Sequence, residues 1–305
     1  MQKMDQQKKD TVFVSFATQK GGAGKTTTTM NVASLVNAES DLKIAVVDLD
    51  HQFSFSNTRN REWEDLTGEA PDSTLAKAYL KLREAGKDRY PVFQLDLFPL
   101  VTANDPEFLA WFNVGFREGL AGLVERGIIS GEIRKVVERS DVSKSLVADL
   151  VYKPYLLSVT LDKIKGLKER GEYDVVFFDF PGTTGFEEIA TVIKYMDYIL
   201  VPLYPDSNTV DSALAFLEAI DMSKANGSGI KDFTVFRWKY SKDKNRGEFE
   251  VLASAIVESG YKLMENKIFE STEIERGRST IAPFDLKGLK SMRPFVDEVL
   301  KFIKK

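Results

Sequence analysis

The chain of 305 residues is 43% apolar and 29% charged, carries a formal net charge of −4 and contains no cysteine. The lack of cysteine excludes a disulfide framework, a thiolate zinc site and a cysteine-ligated iron–sulfur cluster, and the acidic balance confines any nucleic-acid contact to a local patch. The amino-terminal MQKMDQQKKD has no apolar leader core, and no uncharged apolar run is long enough to cross a bilayer, so a cytoplasmic protein is expected.

In chain order, TVFVSFA (11–17) reads as a strand, TTTTMNVASLVNA (26–38) as a helix and LKIAVVDLD (42–50) as a second strand, which together make a βαβ unit. Residues 60–170 are polar and helix-rich, with one alternating stretch, VFQLDLFPLV (92–101), that fits a strand. No Gly/Ser/Pro linker brackets this segment, so it is expected to be an enlarged helical crossover within a single domain covering 1–305. Apolar strands then recur at 173–180, 197–204, 232–238 and 262–269, with helices expected at 209–225, 247–260 and 285–305. Strands this apolar suit parallel pairing with both faces covered, which predicts an α/β, doubly wound, mostly parallel sheet with helices on both faces.

The chemistry concentrates between the first strand and helix. Gly21, Gly22 and Gly24, with Ala23 among them, form a loop whose backbone N–H groups can converge on phosphate oxygens. Lys25 is placed to reach the β- and γ-phosphates, the Thr26 hydroxyl to ligand Mg²⁺ and Thr27 to contact the α-phosphate. A glycine-rich turn that only connects strand to helix is the alternative. The pattern G-x-x-x-x-G-K-[ST] expects glycine at position 19, where this chain has Gln19 followed by Lys20. Asp48 and Asp50 close the next strand, two residues apart and so on one face; one can support a Mg²⁺ hydration shell while the other orients water. Asp179 closes VVFFD and is placed to act on Mg²⁺ through water. Solvated strand-end carboxylates are the competing reading for each aspartate.

These motifs resemble those of a known family. KGGAGKTT (Lys20 to Thr27), DLD followed by HQ (Asp48 to Gln52) and FDFPG (Phe178 to Gly182) look like the deviant Walker A, A′ and B motifs of the ParA/MinD family of partitioning and positioning ATPases. The resemblance implies that Lys20 reaches across an ATP-dependent sandwich homodimer to the partner's phosphates, that Asp50 positions the attacking water and that Asp48 holds a magnesium-bound water. His51, the only histidine, stands where the family usually has proline; a base, a spacer and a dimer contact are its possible roles. Pro205, Asp206 and Asn208 fall in the loop that packs near adenine in relatives, and the absence of N-K-x-D favours ATP over GTP.

The expected output is binding. Lys231 to Arg246 holds six basic and two acidic residues with Trp238 and Tyr240 interleaved, which fits non-specific contact with the DNA backbone. Arg276, Arg278, Lys287, Lys290 and Arg293 follow in the region that carries such contacts in partitioning relatives. An ordinary solvated surface is the alternative. The resemblance thus implies partition or positioning of a plasmid, chromosome or mobile element with a ParB-like DNA-bound partner, hydrolysis serving as a release timer and the ATP form associating with the nucleoid. A MinD-like membrane role through RPFVDEVLKFIKK is less favoured, because Asp297 and Glu298 interrupt its basic face. A metabolic ligase on the same scaffold is the third reading.

Overall fold

The computed structural model describes residues 10–18, 22–68, 73–97, 102–139, 141–181, 186–204, 209–241, 243–272, 274, 279–283 and 287–304. Contacts divide the chain into a sheet-bearing unit, 1–95 with 167–305, and a helical unit, 96–166. Of the segment 60–170 expected as one insertion, residues 60–95 therefore belong with the sheet.

Seven strands make up the sheet: β1 (Val12–Phe16), β2 (Ile44–Asp48), β3 (Val92–Gln94), β4 (Val175–Asp179), β5 (Tyr198–Leu203), β6 (Asp232–Tyr240) and β7 (Ile268–Phe269). Their order is β3-β2-β4-β1-β5-β6-β7 and every pairing is parallel. The β1, β2, β4 and β5 side chains are buried almost without exception, as expected for strands covered on both faces. In register, Phe16 lies beside Asp179 and Asp179 beside Asp48, so the carboxyl ends of three adjacent strands are level and carry two aspartates. Ligands bind at this edge in open α/β sheets.

The segment expected as a strand at 262–269 pairs only at Ile268–Phe269 and at a bridge from Leu263 to Val235. The Glu298 carboxylate takes the backbone N–H groups of Glu265 and Asn266, at 2.9 and 2.8 Å, and so removes them from a ladder.

Helix α1 (Lys25–Glu39) follows β1 and buries ten of its residues. Helices α2 (Ser54–Thr67) and α3 (Thr74–Glu84) lead from β2 to β3. In the helical unit, α4 (Pro106–Glu125) starts with Asp105 accepting from the N–H groups of Glu107 and Phe108 and with proline at its first position, a strong helix start. Short helices α5 (Gly131–Val137) and α6 (Lys144–Val147) and a π-helical turn (Ala148–Tyr152) precede α7 (Lys153–Arg170). This unit has its own core around Phe108, Phe116, Leu120, Val151 and Tyr152.

Beyond β4 come α8 (Phe186–Ile193), α9 (Thr209–Ala225), α10 (Arg246–Glu258) and α11 (Lys287–Ile303). The apolar face of α11 is spent inside the fold: Phe295 packs on Phe236 at 4.9 Å and Phe302 on Tyr198 at 5.3 Å between ring centroids. Met292 and Val299 are fully buried. Each such side chain contributes about 1.5–3 kcal/mol by burial, so lifting this helix onto a membrane would forfeit much of the domain's stability. Among the described residues no helix is long and apolar enough to cross a membrane.

Candidate functional site

The loop between β1 and α1 meets the ends of β2 and β4 around a cavity of about 240 Å³ lined by Gly22, Ala23, Gly24, Lys25, Thr26, Thr27, Asp50 and Phe180. Gly24 adopts φ 79°, ψ 16°, a left-handed conformation natural to glycine, immediately before the first turn of α1. A second constraint acts at the same residue: a Cβ on Gly24 would lie 2.1 Å from Cε2 of Trp238. The indole therefore forms the floor on which the loop rests. Trp238 is 2% exposed, and its Nε1–H has no hydrogen-bond partner.

The Lys25 ammonium is buried and donates to the Thr18 carbonyl at 3.2 Å. Burial lowers its pKa to about 8, against the opposing pull of the Asp179 and Asp50 carboxylates. A cation held this way is poised for an anion of high charge.

Asp179 is fully buried, and neither carboxylate oxygen has a hydrogen-bond partner. Burial first, and then the neighbouring Asp48, push its pKa well above the usual carboxylate range. The Thr26 hydroxyl and Lys25 ammonium favour its ionised form, the hydroxyl from outside hydrogen-bonding geometry. A buried carboxylate left without donors is costly unless something arrives to pair with it, and a hydrated divalent cation fits that requirement. Among the described residues no cluster of three or more acidic or histidine side chains could cage a metal unaided. The donor set of Thr26, Asp179 and Asp48 instead suits Mg²⁺, which keeps several waters and takes phosphate oxygens as ligands.

Asp48 is also fully buried, but it is partnered: its Oδ2 accepts from the backbone N–H and from the hydroxyl of Ser56, both at 2.8 Å. It thereby caps the first turn of α2, whose own N-cap residue, Phe53, makes no side-chain capping bond. Burial is the main reason that its pKa is raised, with the Ser56 bonds opposing. Asp50 lies beyond the strand, half-buried at the cavity wall. Its Oδ1 accepts from the Gln52 N–H at 3.0 Å and lies 3.3 Å from Nδ1 of His51. Phe53 closes this turn at φ 46°, an uncommon conformation for a bulky side chain, in the manner of strain stored beside a functional site.

The structure thus brings together Gly22, Ala23, Gly24, Lys25, Thr26, Thr27, Asp48, Asp50 and Asp179. Lys20, Gly21, Pro205, Asp206, Asn208, Arg276 and Arg278 lie outside the described residues, as do the side chains of Lys287 and Lys290.

The reading of Trp238 and Tyr240 as aromatics interleaved in a nucleic-acid surface requires correction. They are 2% and 6% exposed and belong to the core. The alternation F-R-W-K-Y along β6 is the inside–outside period of a strand and was the signal for this. Around them Lys231 pairs with Asp197, Lys244 with Glu270 and Arg246 with Glu250. Sequence reasoning missed two site residues, Ser56 and Trp238 as the loop's floor: Ser56 lies only eight residues after Asp48 but carries no motif, and Trp238 meets Gly24 from far along the chain, which no local pattern reveals.

Comparison with known proteins agrees with this geometry. The family described as the CobQ/CobB/MinD/ParA nucleotide binding domain matches residues 14–284. No curated protein matches the sequence. Among solved structures, the chain is similar to a putative plasmid partition protein from Borrelia burgdorferi B31 bound to AMPPNP, at 16% identity and a TM-score of 0.53, covering 96% of this chain and 100% of that one. It is similar to cobyrinic acid a,c-diamide synthase from Mycobacterium smegmatis with bound ATP analogue and magnesium, at 18% identity and a TM-score of 0.51, covering 97% and 96%. A Cyanothece McdA(D38A)–ATP complex is similar at 17% identity and a TM-score of 0.50, covering 97% and 96%. At these identities the likeness is one of fold, whereas the family match spans most of the chain. The chain belongs to the CobQ/CobB/MinD/ParA nucleotide binding domain family.

Proposed function

We propose that the protein is a Mg²⁺-dependent, ParA-like ATPase that dimerises with ATP, holds DNA non-specifically and releases it on hydrolysis. The observation that carries this reading is the unpartnered Asp179 carboxylate beside Lys25 and Asp48, beneath a glycine loop with an open cavity.

The backbone N–H groups of residues 22–27 bind the phosphates at the positive end of α1. Lys25 neutralises the terminal phosphates, and their charge holds it protonated above its free-state pKa. Thr26 and Asp179 would hold Mg²⁺, with Asp48 supporting its water shell, and when bound it would supply neutralisation of phosphate charge. Asp50 orients the attacking water, with its carboxylate fixed by the Gln52 N–H. His51 stands next to it at the rim and assists in placing that carboxylate. Lys20 supplies the cation in trans that makes assembly depend on the triphosphate.

DNA contact by Lys231, Lys244 and Arg246 would exchange the present ion pairs for phosphates. The Lys244 and Arg246 pairs are exposed on both sides, and such pairs contribute only about 0–1 kcal/mol each, so their exchange is inexpensive, whereas Lys231 serves the buried Asp197 carboxylate, which Lys168 also neutralises. Structural likeness to plasmid partition proteins supports a role in partition or positioning of a genetic element, with a ParB-like DNA-bound partner that stimulates release. The burial of the apolar face of α11 weighs against the MinD-like membrane role.

The test is retention of DNA of unrelated sequences with ADP, with ATP and by an Asp50→Ala variant. Retention should require ATP, persist in the variant and fall steeply with salt. Retention indifferent to nucleotide would overturn the switch, and ADP release that needs a small acceptor substrate would point to the ligase reading.

A further inference from the structure

Ser56, which holds Asp48, also lines a second and larger cavity, of about 480 Å³, at the β3 edge of the sheet. Its walls are contributed by Ser56, Arg59 and Asn60 from α2 and by Arg89, Tyr90 and Gln94 from the approach to β3 and β3 itself. No acidic side chain lines it among the described residues.

Arg59 is 6% exposed and rigidly built in. Its Nε donates to Thr280 Oγ1 and its Nη1 to the Tyr90 carbonyl, each at 2.9 Å, and its Nη2 donates to the Thr280 carbonyl. Its plane also covers the Tyr90 ring, with Cζ 4.4 Å from the centroid. All these acceptors are uncharged. The Thr280 hydroxyl in turn donates to the buried carboxylate of Glu62, on the same helix as Arg59. Across the cavity Arg89 is exposed, stacked 3.8 Å from the Trp63 ring centroid. Neither guanidinium is ion-paired among the described residues.

With both arginines lining it, this polar cavity carries a focused positive potential: Arg59 contributes charge from within the wall, its fork already engaged by Thr280 and Tyr90, and the exposed planar fork of Arg89 matches the oxygens of a phosphate or carboxylate. Stacking on an aromatic ring fixes the orientation of Arg89 in advance, which lowers the entropy cost of capture. Asn60 and Gln94 add neutral donors and acceptors around the rim, and the volume is that of a metabolite site.

We propose that this cavity binds a small oxyanion, a phosphate- or carboxylate-bearing metabolite, and that its occupancy is relayed through the first turn of α2 to Asp48. Capture by Arg89 together with Asn60 acts on α2, the helix whose Ser56 holds that carboxylate, so the anion tunes the nucleotide site from outside it. The relay rests on the ATPase reading; the binding does not.

The experiment is calorimetric titration of the full chain with inorganic phosphate and, separately, with succinate at fixed ionic strength. It uses the wild type, Lys25→Ala to remove the phosphate loop as a competing site, and two surface variants, Arg89→Gln and Asn60→Asp. The expected result is binding of one equivalent that survives Lys25→Ala. Arg89→Gln should weaken it by about tenfold or more, the loss of one charge-assisted hydrogen bond, and Asn60→Asp should weaken it further. Trp63 emission should change on binding in the wild type and not in Arg89→Gln.

Binding of phosphate alone would assign a phosphate ester, and binding of both probes a broader oxyanion site; either supports the proposal. No binding in the wild type, or binding lost in Lys25→Ala but kept in the surface variants, would overturn it. For the relay, ATP turnover with saturating anion should change at least about twofold in the wild type and not in Arg89→Gln. Unchanged turnover with intact binding would overturn the relay, whereas absence of turnover altogether would reject the ATPase reading and leave the anion site standing.

Discussion

Replacing Gly24 with alanine perturbs the loop at its best-defined support. Two costs add. The left-handed backbone, φ 79° and ψ 16°, disfavours any side chain by about 1–2 kcal/mol. The new Cβ would also meet Trp238 at 2.1 Å from Cε2, 2.4 Å from Cζ2 and 2.5 Å from Nε1. Carbon atoms prefer separations of about 3.5–4.0 Å, so loop or indole must yield by well over an ångström. The indole is walled in by the core, and overpacking of this kind costs about 1–3 kcal/mol. The single substitution should therefore destabilise by about 2–5 kcal/mol. Lys25 and Thr26 directly follow Gly24, so ATP affinity should fall as well. Denaturant unfolding of Gly24→Ala, Trp238→Leu and the double variant separates the two costs. With the indole removed, only the backbone penalty remains, so the cycle should show a coupling of about 1–3 kcal/mol. Additive effects, with coupling under about 0.5 kcal/mol, would show that the indole does not support the loop.

Two further predictions concern the buried charges. Asp179→Asn should raise the stability of the ligand-free protein near neutral pH by about 1–2 kcal/mol, by removing an unpartnered buried carboxylate, while abolishing Mg²⁺-dependent nucleotide binding. Because the folded pKa of Asp179 is raised, the native state binds more protons than the unfolded one just above the ordinary carboxylate pKa, and this group's contribution to stability falls as pH rises. Thermal unfolding across pH checks both; equal or lower stability of the variant would refute the assignment. Lys25, with a folded pKa of about 8 against 10.5 unfolded, gives the opposite slope, stability rising with pH between those values. Its deprotonation should also weaken ATP binding by about tenfold per pH unit above 8, with proton uptake on binding. Affinity flat through that range, measured in buffers of different ionisation enthalpy, would contradict a lysine on the phosphates.

Much of this architecture was legible because it is local. Continuous apolar runs such as YDVVFFDF mark strands buried on both faces, and strand, glycine loop, Lys25 and helix follow one another without interruption. Asp48 and Asp179 end their strands and were readable as such, but their level placement depends on β2 and β4 becoming neighbours, which register alone reveals. Other features arise from contacts that no motif marks. Ser56, eight residues past Asp48, shows no special sequence context, and only the turn into α2 brings its N–H and hydroxyl onto that carboxylate. Trp238 looked like a stacking residue because lysine and arginine surround it; the alternation of β6 turns the charges outward and the rings inward. Residues 262–269 had strand composition, but Glu298, from α11, takes their backbone donors. The paired arginines at the β3 edge come from α2 and the approach to β3, two segments that neither resemble a motif nor lie close in the chain.

The proposed assembly, driven by a cation that each subunit lends to the other's triphosphate, is tested by sedimentation velocity of the Asp50→Ala protein loaded with ATP and Mg²⁺. A dimer is expected with ATP, a monomer with ADP, and a monomer even with ATP when Lys20→Ala is added, although that double variant still binds the nucleotide. A monomer in the ATP-loaded Asp50→Ala protein, or a dimer unaffected by loss of Lys20, would contradict it.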